Sequence, residues 1–139
     1  MDPDLSRAVL AGGIGALSMS VSHYLFHLIR VPMVDFGRLI ATKILGYHTH
    51  GTRLGLALHI LTGVILALVY SELVMSLLVG APWLRGISYG GLLWLVMMLL
   101  VLPVTGDGFF GWKASRTMAV SALASHLLYG LILGVGIRP

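Results

Sequence analysis

The chain has 139 residues, the length of one domain. Hydrophobic residues make up 58% and charged residues 10%, against about 25% charged in a soluble domain, so the chain cannot cover a water-facing surface and its solvent must be lipid. The lack of cysteine excludes disulfides, thiolate metal sites and cysteine nucleophiles, and the net charge of +4, with no Lys/Arg run, suits basic loops over anionic lipid rather than nucleic acid.

Residues 1–7 are polar and on balance acidic, unlike the basic start of a secretory signal, and the apolar run that follows, Ala8 to Ile29, is long. It predicts a retained first transmembrane helix over about residues 8–29, since roughly 20 apolar residues cross the hydrocarbon core. Its small-residue start, Ala11-Gly12-Gly13-Ile14-Gly15-Ala16, lets another helix approach closely, and its end carries His23 and His27. Arg30 to Arg53 is the most polar stretch. Within it, apolar residues at Phe36, Leu39, Ile40 and Ile44 have helical spacing, which predicts a short amphipathic helix at about 34–45 lying in the membrane interface. Gly46 to Gly51, with His48 and His50, reads as a connector.

The second span is predicted at about 54–72, with Glu72 marking the far interface because a charge deep in lipid is costly. A connector with Pro82, Trp83 and Arg85 follows. The third span, about 86–104, carries Gly86 and Gly90 on one face and ends at Pro103 and the turn Gly106-Asp107-Gly108. Phe109, Phe110 and Trp112 read as an aromatic belt. The fourth span is predicted at about 117–137. The expected fold is therefore an all-α, single-domain bundle of four transmembrane helices with one interfacial helix between the first two. Connectors after spans one and three carry Arg30, Arg38, Lys43, Arg53, Lys113 and Arg116; the other side carries Arg7, Arg85 and Arg138. That bias puts the connectors inside and both termini outside a membrane expected to be the prokaryotic inner membrane.

All six histidines fall on the connector side. At 1.5 Å per residue, His27 lies about 4–5 Å, His59 about 9 Å, His23 about 10 Å and His126 about 15 Å inside the boundary. His23 and His27, at i and i+4, share a helical face. His59 and His126 sit in a repeated motif, Leu-Ala-Leu-His-Ile-Leu-Thr-Gly at 56–63 and Leu-Ala-Ser-His-Leu-Leu-Tyr-Gly at 123–130, on spans that run parallel.

Three readings of these histidines follow. In the first, His59 and His126 hold a b-type haem from facing helices, with Gly63 and Gly130 opening room for the macrocycle; against it, the glycines are ordinary helix contacts and the histidines hydrogen-bond across helices. In the second, His23, His27, His59 and His126 form a non-haem transition-metal site, with Asp35, Asp107, His48 or His50 as further ligands. In the third, the chain moves ions or protons, for which one acidic residue, Glu72, with no broken helices in matching halves gives thin support. Nucleophile, phosphate-loop and zinc-protease motifs are all missing.

The Gly/Ala/Ser-rich first span, the segment Pro32-Met33-Val34-Asp35, the His-x-x-x-Gly spans at 59 and 126, and the third span with Trp94, Met97 and Met98 together resemble a group of small bacterial and archaeal integral-membrane proteins of unknown function. The resemblance implies four transmembrane helices and supplies no activity, cofactor or catalytic residue. The expected role is a non-catalytic subunit or accessory protein of a membrane complex, in contact with lipid and other transmembrane helices and oligomeric. The alternative is a redox component binding haem b or a transition metal.

Overall fold

The computed structural model describes residues 3–32, 39–44, 46, 51–113, 115 and 117–137. Among them the chain is all helix, with no strand. Helix α1 is Pro3–Leu28. Helix α2 is Gly51–Val69, prolonged by a π turn, Tyr70–Val74. Helix α3 is Pro82–Val96, continued by a π turn, Met97–Val101, and a last turn, Leu102–Val104. Helix α4 is Met118–Gly136. Four stretches, Asp4–Leu28, Arg53–Val74, Pro82–Val104 and Met118–Gly136, are long and apolar enough to cross a membrane.

Local chemistry sets the ends. Pro82 opens α3 at the first helical position, where its missing N–H costs nothing, so the helix starts earlier than the apolar run suggests. Pro103 explains the π turn before it. In an α-helix its ring would collide with the carbonyl of Leu99, and no N–H would reach that carbonyl; the backbone widens, and the Leu102 N–H donates to Met97 O. α1 ends with Arg30 in the left-handed region, φ 58°, and the Val31 N–H closes back on Phe26 O at 2.9 Å. That is a helix stop usually given to glycine. The serines of α1 satisfy themselves within the helix, Ser20 Oγ on Ala16 O and Ser22 Oγ on Ser18 O.

Small residues decide which helices touch. For apolar helices that sit in lipid there is no hydrophobic drive between them, and close backbone packing supplies the attraction. α3 and α4 meet through Gly86 and Gly90 against Gly130 and Gly134: a Cβ on Gly86 would strike Gly130 O and lie 2.6 Å from Gly134 N. α1 and α2 meet through Gly12 and Ala16 against Gly63 and Ala67, a Cβ on Gly12 falling 2.7 Å from Ala67 Cβ. α1 and α4 meet where Gly15 lies under the Tyr129 ring and Ala11 beside Gly136. Around the bundle the order is α2, α1, α4, α3, and α2 and α3 face each other across the remaining seam. There the contact is made by side chains: Tyr70 and Tyr89 rings stand 5.0 Å apart, and Tyr89 OH donates to Leu66 O at 2.9 Å.

Two cores result. One, at the end bearing the chain termini, gathers Tyr70, Tyr89, Tyr129, Leu133 and Ile137. The other, at the connector end, gathers Met97, Met98, Leu102, Met118 and Ala122 with Leu39. The outward stripe of α1, Leu10, Ile14, Leu17, Val21 and Leu25, is exposed. The amphipathic segment is described from residue 39 as a π turn, Ile40–Ile44; its residues 34–38 and 45 lie outside the described residues. Leu39 and Ala41 are buried within the protein. Lys43 crosses to the loop after α3, where Nζ lies 2.8 and 2.9 Å from the Asp107 carboxylate oxygens and 3.0 Å from Thr105 O. At the other end, Arg85 Nε donates to Gly80 O at 2.8 Å, and Glu72 is exposed.

Candidate functional site

Between the two cores lies a cavity of about 250 Å³ walled by all four helices. Each wall is one helical face. α2 contributes His59, Thr62, Gly63 and Leu66, at i, i+3, i+4 and i+7; α4 contributes Ala122, Ser125, His126 and Tyr129 at the same spacing. Ala16 and Met19 come from α1, and Leu93, Val96, Met97 and Val101 from α3. The two histidines of the repeated motif therefore line one shared space.

The polar groups of this wall are ordered. His126 Nδ1 lies 2.8 Å from Ala122 O, one turn back on its own helix. A carbonyl only accepts, so Nδ1 carries the proton, and in the neutral ring the lone pair is on Nε2. Ser125 Oγ donates to Ser121 O at 3.2 Å. Ser121 Oγ in turn lies 2.7 Å from Pro32 O, tying the chain after α1 to α4. Tyr129 OH donates to Gly63 O. With the Tyr89–Leu66 bond, this builds a tyrosine floor that spaces α2 from α3 and α4.

Of the two uses the sequence allowed for the glycines of the motif, the structure shows the helix contact. The space a side chain at Gly63 would take is filled by Ala16, 2.6 Å away, and by Gly12 O at 3.1 Å; that at Gly130 is filled by Gly86 and Gly90. They draw helices together, Gly63 while also lining the cavity. An apolar cavity of about 150 Å³ accepts benzene, so 250 Å³ suits one substituted ring.

His23 sits one turn beyond Met19 on α1, half-buried, with its Nδ1 buried and without a hydrogen-bond partner among the described residues. His27 is exposed. Neither lines the cavity, so the structure brings together His59 and His126 but does not add His23 and His27 to them. Among the described residues no group of three or more His, Asp or Glu side chains is placed to hold a metal ion. Asp107 is held by Lys43. Asp35, His48 and His50 lie outside the described residues. Sequence reasoning missed Tyr129, Thr62, Ser125, Met19 and Met97 as cavity walls. Tyr129 had a signal: a tyrosine on an apolar helix needs a partner for its hydroxyl, and it lies three residues from His126.

The sequence profile described as Family of unknown function (DUF6789) matches residues 3–138. No curated protein and no solved structure matches the chain.

Proposed function

Since the chain belongs to the DUF6789 family over nearly its whole length, and that family carries no assigned activity, we propose from the site itself that the protein is a non-catalytic subunit of the prokaryotic inner membrane that holds a small, mostly apolar molecule between its helices. The observation that carries this reading is the cavity: about 250 Å³, lined mostly by apolar side chains, with His59 and His126 on opposite walls. A concave, largely apolar space with a few convergent polar groups is the usual form of a ligand site. The connectors, richer in Lys and Arg, face the cytoplasm, and the exposed apolar faces of the bundle meet lipid and partner helices. The test is native mass spectrometry of the full chain released from nanodiscs, with Leu93→Trp as a variant whose cavity is filled. A bound small molecule retained by the wild type and lost in the variant supports the reading; no added mass on the wild type, or the same added mass on both, overturns it.

The lone pair on His126 Nε2, in a cavity shared with His59, also favours a redox role with haem b or a transition metal. A Soret band in purified protein that disappears in both His59→Ala and His126→Ala would replace the first reading with this one.

A further inference from the structure

We propose that the occupant of the cavity is an aromatic alcohol of the phenol class, its hydroxyl donated to His126 Nε2; this rests on the reading of the cavity as a ligand site. The cavity takes a single ring with a small substituent by volume. Its wall decides the polarity of that ring. The Tyr129 hydroxyl proton is spent on Gly63 O and that of Ser125 on Ser121 O. The His126 Nδ1 proton is spent on Ala122 O. What His126 offers the cavity is therefore an acceptor, the Nε2 lone pair. A ligand with an O–H donor satisfies it; an ether or a hydrocarbon leaves it bare. A charged donor such as an ammonium would have to be stripped of water among Leu66, Leu93 and Val96, which is costly, whereas a neutral phenol brings one donor on an apolar body. The thioethers of Met19 and Met97 on the cavity wall suit an aromatic ring better than an aliphatic chain.

The test uses the full chain in nanodiscs and two probes of nearly equal size, 4-fluorophenol and fluorobenzene, followed by fluorine NMR against empty nanodiscs. The wild type is expected to bind 4-fluorophenol about tenfold or more tightly than fluorobenzene, once partition into lipid is subtracted. Leu93→Trp should bind neither saturably. His126→Leu should keep fluorobenzene and lose the preference. In wild-type protein with nitrogen-15 histidine, 4-fluorophenol should move the His126 Nε2 resonance and leave Nδ1 in place, a readout that does not depend on any variant folding. Equal affinity of the wild type for both probes overturns the phenol assignment and leaves the cavity as a ligand site. Saturable binding of neither probe by the wild type overturns both. A preference for 4-fluorophenol that survives in His126→Leu, or an unmoved Nε2 resonance, overturns the role given to His126.

Discussion

Gly90 and Gly91 are neighbours in sequence and opposites in space, and replacing each with alanine separates packing from propensity. A Cβ on Gly91 meets nothing within 4 Å. A Cβ on Gly90 strikes His126 O and lies 3.0 Å from His126 C and 3.3 Å from Gly130 Cα. All three are backbone atoms of α4, so no side chain can swing aside and the helices must part by a distance on the order of 1 Å. A gap of about 0.5–1 Å forfeits a quarter to a half of each contact's attraction, and this seam is the glycine-lined one. In lipid no hydrophobic term compensates. Gly90→Ala is therefore expected to destabilise the bundle by about 3 kcal/mol, the upper end for overpacking. Gly91→Ala should be neutral or stabilise by up to about 1 kcal/mol through helix propensity. The assay is reversible unfolding in mixed micelles, followed by the fluorescence of Trp94, whose indole N–H donates to Ala119 O at 2.9 Å across the same seam. Equal stability of the two variants would refute close α3–α4 backbone contact as the basis of the fold.

The three tyrosines of the floor should respond differently to loss of their hydroxyls. Tyr129→Phe and Tyr89→Phe each delete a hydrogen bond to α2 and should cost about 0.5–1.5 kcal/mol, whereas Tyr70→Phe removes a buried hydroxyl that has no hydrogen-bond partner among the described residues and should be neutral or stabilise by about 1 kcal/mol; micelle unfolding of the three variants checks the order. The Lys43–Asp107 pair, 44% and 26% exposed, should show a coupling of about 0.2–1 kcal/mol in a double-mutant cycle with Lys43→Met and Asp107→Asn, shrinking in high salt. Pro103→Ala restores a backbone donor and should let the π turn Met97–Val101 relax to an α-helix, seen as a new slowly exchanging amide at residue 103.

The four long apolar helices were legible because each is a long apolar run that little interrupts. Their ends were less so, since Pro82 begins a helix as readily as it breaks one. For the histidines, polarity within an apolar run pointed His59 and His126 inward, but it could not tell what Gly63 and Gly130 do. A glycine one turn from a histidine looks the same whether it admits a cofactor or a neighbouring backbone; only the partner, Ala16 for one and Gly86 for the other, decides. The Lys43–Asp107 contact joins residues 64 apart in sequence and left no local trace.

The cavity itself follows from unequal seams. Glycine and alanine pull α1 onto α2 and α3 onto α4 until backbones touch, and α1 meets α4 across Gly15 and Gly136. Nothing equivalent pulls α2 onto α3 or α4. There the spacing is set by tyrosine: Tyr129 and Tyr89 reach across to carbonyls of α2 and hold it a ring's length away. At the floor the rings fill the gap they create. One turn toward the connectors the facing side chains are shorter, Ala16, Thr62, Ala122 and Ser125, while the backbones are still held apart. The space left over is the cavity, and His59 and His126 stand on its walls. Shortening the spacers should therefore shrink the cavity from outside its lining: Tyr89→Ala, which removes a strut that does not line it, is expected to let α2 settle toward α3 and weaken 4-fluorophenol binding, and unchanged binding in that variant would refute the strut.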